Sequence, residues 1–112
     1  MKLKVLITAV LLSLAVPAAA DLNVVQTAYE VALDDMRLPR ADGGTIAFKE
    51  CDKCDYVRLR VGDDTRYRID GKAVPLRKFR DALKLVEDRE KQPVTILHHL
   101  KRNQVTAVSV NL

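Results

Sequence analysis

Tryptophan is absent from this 112-residue chain, and only two Phe and three Tyr are present. Aromatic platforms for stacking single-stranded bases are therefore scarce. Histidine occurs only as the neighbours His98 and His99. No serine sits in a G-x-S-x-G elbow, and no acid–His–nucleophile set stands at a recognisable spacing, so no catalytic residue is assigned. No repeat, linker or low-complexity tract divides the chain. Cysteine is limited to Cys51 and Cys54.

What is present begins with an address. Lys2 and Lys4 form a short positive region, and Val5 to Val16 is apolar apart from Thr8 and Ser13. Pro17-Ala18-Ala19-Ala20 then supplies a turn and a small-residue cleavage site before Asp21. The apolar run is short for a bilayer span, and no stop-transfer pattern follows. No Cys near the cut accepts a lipid. Residues 1–20 are thus expected to be a signal peptide and residues 21–112 a single periplasmic or secreted domain.

Charge argues less than it first suggests. The whole chain carries 19 basic and 15 acidic side chains. Loss of Lys2 and Lys4 leaves 17 against 15, so a net +4 becomes +2. That balance does not by itself call for a polyanion. A domain of this size buries a modest fraction of its surface, and exported ones often add a disulfide.

Val25, Thr27, Tyr29, Val31 and Leu33 alternate with polar or small residues, the period of a strand. A helical face through Leu22, Val25, Tyr29, Ala32 and Met36 competes with it. Residues 38–44 are turn-rich, and Thr45 to Lys49 predicts a short strand with Ile46 and Phe48 on one face. Tyr56 to Val61 and Thr65 to Asp70 read as strands joined at Gly62-Asp63-Asp64, a predicted hairpin. Asp70-Gly71 is a second turn signal. Pro75 suits a first helical position, and Leu76, Phe79, Leu83 and Val86 follow at helical spacing, with residues 88–93 ending the helix. Val94 to Leu100 and Val105 to Leu112 predict a closing hairpin, with Thr106, Val108, Val110 and Leu112 sharing a face. The order predicts an α+β domain: a curled antiparallel sheet of about six strands with one amphipathic helix packed on it. A more strongly curled, barrel-like sheet is the alternative.

Cys51-Asp52-Lys53-Cys54 is the motif with obvious chemistry. In an oxidising compartment the pair is expected to form a structural disulfide across a tight turn. Its loop is short, so the denatured state loses only about 2 kcal/mol of chain entropy on closure. A thiol–disulfide oxidoreductase or redox sensor is the second reading of the motif. Such enzymes place the first Cys at a helix N-terminus, whereas the flanks here read as strands and Glu50, Asp52 and Asp55 disfavour a thiolate. Metal binding is the third reading. Zinc needs two further ligands, and His98 and His99 point to opposite faces of a strand, so no metal site is assigned. Covalent haem is excluded, because Asp55 stands where that motif needs His. No cofactor is expected.

Arg58 and Arg60 share one side of their strand, as do Arg66 and Arg68 of the next. If that hairpin closes, Arg60 faces Arg66 and Arg58 faces Arg68, an arrangement that like-charge repulsion disfavours without acids or an anion nearby. These four are the candidate anion-binding residues, for an envelope polyanion or an acidic protein, and Arg77, Lys78 and Arg80 extend the patch if the helix start lies beside them. A solvated outer face neutralised by Asp63, Asp64 and Asp70 is the competing reading.

Gly44, Cys51-x-x-Cys54, Thr65-x-Tyr67, Asp70-Gly71 and Pro75-Leu76-x-x-Phe79 together resemble a group of uncharacterised small exported proteobacterial proteins. That resemblance implies export and a compact domain, and carries no activity or ligand with it. The sequence as a whole predicts an exported, non-enzymatic binding or accessory domain.

Overall fold

Alternation wins over the helical pattern in the first element. In the computed structural model, which describes residues 25–112, β1 runs Gln26–Ala32 and buries Val31, while Gln26, Ala28 and Glu30 stay exposed. The strand ends in a 3₁₀ turn, Leu33–Asp35, that carries Leu33 into the core. The signal peptide expected at 1–20, and Leu22 of the competing helical face, lie outside the described residues. Among the described residues no helix is long and apolar enough to cross a membrane.

Seven more strands and one helix follow. They are β2 (Met36–Arg37), β3 (Thr45–Phe48), β4 (Val57–Arg60), β5 (Arg66–Ile69), β6 (Lys72–Val74), α1 (Leu76–Lys84), β7 (Pro93–His99) and β8 (Gln104–Val110). The domain is α+β, as the element order predicts. Its strands divide into a five-stranded sheet, β1-β7-β8-β5-β6, and a three-stranded sheet, β2-β3-β4. Every pairing is antiparallel except β5 with β8, which is parallel.

The predicted hairpin across Gly62-Asp63-Asp64 does not form. β4 pairs with β3, Thr45 opposite Arg60 and Phe48 opposite Val57. β5 lies in the other sheet, Tyr67 opposite Val74 of β6 and Val108 of β8. Residues 62–65 instead turn the chain from one sheet to the other, with Thr65 N–H donating to the Gly62 carbonyl at 3.1 Å. The two-residue hairpin sits one turn later, where Asp70 (φ 52°) and Gly71 (φ 85°) supply the positive dihedrals of a type I′ link between Ile69 and Lys72.

A second departure comes from a bulge. Leu97 pairs with Ala107 but His98 pairs with Val105, leaving Thr106 as the extra residue. The bulge resets the phase of β8, so Val105 joins Val108 and Val110 inside while Thr106 leaves that face. Pro75 occupies the N-cap rather than the first helical position, and α1 stops at Lys84, two residues short of Val86. Arg89 caps the helix end, its Nη1 donating to the terminal Leu83 carbonyl at 2.8 Å.

Both the three-stranded sheet and α1 close on the inner face of the larger sheet. Phe48 of β3 meets Tyr29 of β1 with ring centroids 4.9 Å apart, and Phe79 of α1 meets Tyr67 of β5 at 5.3 Å. Phe48, Phe79, Ile46, Ile96 and Val94 are fully buried in this shared core. Burial of such side chains stabilises the fold by about 1.5–3 kcal/mol each.

Candidate anion-binding groove beside the helix

The core fixes the helix, and the helix builds the site. With Leu76, Phe79 and Leu83 turned inward, the i, i+3, i+7 stripe of Arg77, Arg80 and Lys84 faces outward along α1. The segment between β2 and β3 lies across this stripe. It is shaped by a turn in which Gly44 N–H donates to the Ala41 carbonyl at 3.1 Å and Gly43 takes φ 86°. Arg80 Nη1 donates to the Arg40 carbonyl at 3.2 Å and holds the segment to the helix.

Between them runs a groove of about 560 Å³ lined by Arg40, Asp42, Arg77, Arg80, Asp81 and Lys84 among others. A smaller hollow of about 230 Å³ continues from it past Arg80 and Lys84 to Arg37 and Arg89. Six cations and two carboxylates therefore border one continuous depression. Some of these cations are occupied: Lys84 stands 4.0 Å from Asp81, Arg37 lies over the Tyr56 ring at 5.3 Å, and Arg89 caps the helix. The ion pairs among the described residues are Lys84–Asp81 and Arg102–Asp64. Arg40, Arg77 and Arg80 thus meet no carboxylate within 4 Å among the described residues. The start of α1 adds to the positive field, because its first turn carries no acid and Pro75 offers no side-chain cap.

A second cleft, about 390 Å³, adjoins the groove at Asp42, Pro75 and Leu76 and is lined also by Asp63, Asp64, Arg66 and Tyr67. Tyr67 is buried, and its hydroxyl has no hydrogen-bond partner among the described residues. Burial, and then the nearby Asp42 carboxylate, push that phenol up to about 12. Asp64 behaves oppositely. Hydrogen bonds from Arg102 hold its carboxyl below the usual range, with Gln104 Nε2 adding one at 2.7 Å.

The four sequence-predicted arginines are not brought together as a hairpin. Arg58 and Arg60 stand exposed on β4, opposite Ala47 and Thr45, while Arg66 and Arg68 stand exposed on β5, opposite Ala107 and Ser109. Only Arg66 borders the helix-side clefts. The stripe of Arg77 and Arg80 was legible from helical spacing, and so was Lys84. Arg37, Arg40 and Arg89 carried no local signal, because they reach the groove only through the packing of loops on α1.

The cysteines occupy the turn between β3 and β4. Cys51 and Cys54 are at disulfide distance with Cα atoms 5.1 Å apart, and Cys54 N–H donates to the Cys51 carbonyl at 3.1 Å. Strands flank the pair and α1 begins elsewhere, so no helix N-terminus stabilises a thiolate there. His98 is buried with Nε2 3.0 Å from Asn103 Oδ1, while His99 Nδ1 accepts the Arg102 N–H at 3.1 Å. Among the described residues no three His, Cys, Asp or Glu side chains gather as a metal site requires. No family model, curated protein or solved structure matches the chain.

Proposed function

We propose that this chain is an exported, non-enzymatic binding domain that is cut after Ala20, uses Cys51–Cys54 as a structural disulfide, and holds a phosphate-bearing envelope polyanion in the groove beside α1. The observation that carries the reading is the convergence of Arg40, Arg77 and Arg80 on that groove with no carboxylate partner within 4 Å among the described residues. Guanidinium groups that border one groove suit bidentate contact with phosphate oxygens. The groove replaces the predicted hairpin as the main surface because β4 and β5 present their arginines from separate sheets. The export address and the resemblance to small exported proteins support the compartment.

Retention on immobilised heparin tests the groove. Arg40→Gln/Arg77→Gln/Lys84→Gln leaves intact the Arg80 and Arg89 bonds that position the loop and the helix end. The triple variant is expected to elute at clearly lower salt than the unaltered protein, since contacts with a multivalent anion are screened by salt. Substitution of Arg58, Arg60, Arg66 and Arg68 by Gln is expected to shift elution less. Equal elution of the triple variant and the parent defeats the reading, and selective capture of acidic proteins in place of phosphorylated polymers redirects it to a protein partner. Intact mass of the exported chain beginning at Asp21 checks the cleavage.

A second reading, thiol–disulfide exchange, draws on the exposure of Cys51 at the surface turn. It predicts ready exchange with glutathione, which a structural bond resists.

A further inference from the structure

The two sheets have four edges, β1, β6, β2 and β4, and three of them are protected against pairing with another chain. β2 is two residues long. β6 is three residues, carries Lys72 and runs into Pro75. β4 displays Arg58 and Arg60. Shortness, edge charge and proline are the devices that keep sheet edges apart. β1 has none of them: it is seven residues long, without proline or bulge, and Glu30 is its one charge.

The hydrogen-bond phase shows what this edge presents. Leu100 N–H donates to Val25 O and Leu33 N–H donates to Gln92 O, each at 2.8 Å, in the register that pairs Gln26 with His99. Odd-numbered residues of β1 therefore spend their backbone groups on β7. In an antiparallel ladder the alternate residues point theirs the other way. The N–H and C=O groups of Gln26, Ala28, Glu30 and Ala32 accordingly face the open side, and no backbone partner meets them among the described residues.

We infer that β1 is a self-association edge, joining a second copy antiparallel about a two-fold axis at Tyr29 into a continuous ten-stranded sheet. That register is chosen by the chain itself. It sets Gln26 against Ala32 and Ala28 against Glu30 of the second copy, so all four open residues pair through both backbone groups. A shift to an axis at Glu30 opposes two like charges, and a shift to Ala28 leaves Ala32 without a partner from the strand. On the inner face Tyr29, half-buried, meets its own copy, and aromatic pairs across a ladder stabilise it. This choice of occupant rests on the proposed cleavage after Ala20, which leaves four residues before Val25, fewer than a reverse turn and a covering strand require. A second copy is therefore the occupant the edge fits.

Sedimentation velocity of the purified protein, from low micromolar to near-millimolar, reads the association directly. The mass is expected to rise from one chain toward two. Ala28→Pro removes an edge-facing N–H without touching the β1–β7 ladder, and is expected to stay monomeric throughout with unchanged circular dichroism. Ala28→Lys provides a check that does not depend on disrupting the strand: it sets a cation opposite Glu30 of the second copy and is expected to associate a few-fold more tightly. A parent protein that remains monomeric at every concentration overturns the inference, whether the edge is then open or filled by another protein's strand. Association undiminished by Ala28→Pro overturns it by placing the contact elsewhere. Hydrogen-exchange protection of the Ala28 and Glu30 amides that does not change with concentration also overturns it, since the chain's own N-terminal residues then cover the edge.

Discussion

The Thr65 hydroxyl donates a 2.6 Å hydrogen bond to the carbonyl of Val105, forty residues away and buried, and at the same time accepts the Gly62 N–H at 3.0 Å. This one side chain pins the point at which the chain leaves the three-stranded sheet for the five-stranded one. The acceptor lies beside the β8 bulge, just before β5 and β8 begin to pair at Arg66 and Ala107.

Replacing Thr65 by Val keeps the shape and removes both bonds. Two backbone groups, one of them buried, lose their partner, which costs about 1–3 kcal/mol. Urea unfolding of the Thr65→Val variant is expected to show a lower midpoint at unchanged slope. An unaltered midpoint means that water replaces the hydroxyl at this crossing.

The cysteine pair offers a smaller effect. Purified from an oxidising compartment, the protein is expected to weigh two hydrogens less than its all-thiol form. Because the bond closes a short loop within a turn that already has its own backbone hydrogen bond, Cys51→Ser/Cys54→Ser is expected to cost about 2 kcal/mol or less and to leave the far-ultraviolet spectrum in place. Free thiols in protein from that compartment, or stoichiometric zinc, contradict the structural reading.

Tyr67 sets an alkaline limit. Its phenol ionises at about 12 in the folded chain against an ordinary 10, through burial first and the Asp42 carboxylate second. Below pH 10 both folded and unfolded chains hold the proton and the group is neutral in its effect. Between 10 and 12 the unfolded chain releases the proton while the folded chain keeps it, so stability falls as pH rises through that window. Tyr67→Phe is expected to flatten this decline in thermal melts. It is also expected to leave stability near neutral pH unchanged or slightly raised, since the hydroxyl it deletes is buried without a partner among the described residues. A clear loss of stability at neutral pH indicates a bond from that hydroxyl to bound water.

Much of the local structure was written in short-range pattern. Alternation placed Tyr29 and Val31 of β1, and Ile46 and Phe48 of β3, on the faces they occupy, because strand geometry turns every second side chain to the same side. Asp70-Gly71 specified its own hairpin, since only residues tolerant of positive φ fit that link. Leu76, Phe79 and Leu83 identified the buried stripe of α1, and with it the outward stripe of Arg77, Arg80 and Lys84.

Partner choice was not local. Gly62-Asp63-Asp64 signals that the chain bends, but whether β5 returns along β4 or crosses to β8 depends on which apolar faces close the core. Tyr67 found Val108 and Phe79, so Arg66 and Arg68 left Arg58 and Arg60 behind. The Thr106 bulge is not set locally either: Thr106, Val108, Val110 and Leu112 can be drawn as one face, and only the pairing with β7 shows that β8 skips a residue at Thr106. The groove belongs to the same class. Arg40, Arg77 and Arg89 are scattered along the chain, and only the docking of a loop and a helix on one core brings their charges to a single surface. Short-range pattern fixed which side chains β1, β3 and α1 hide. Tertiary structure alone decided which elements meet, because that choice is made by long-range burial rather than by neighbours along the backbone.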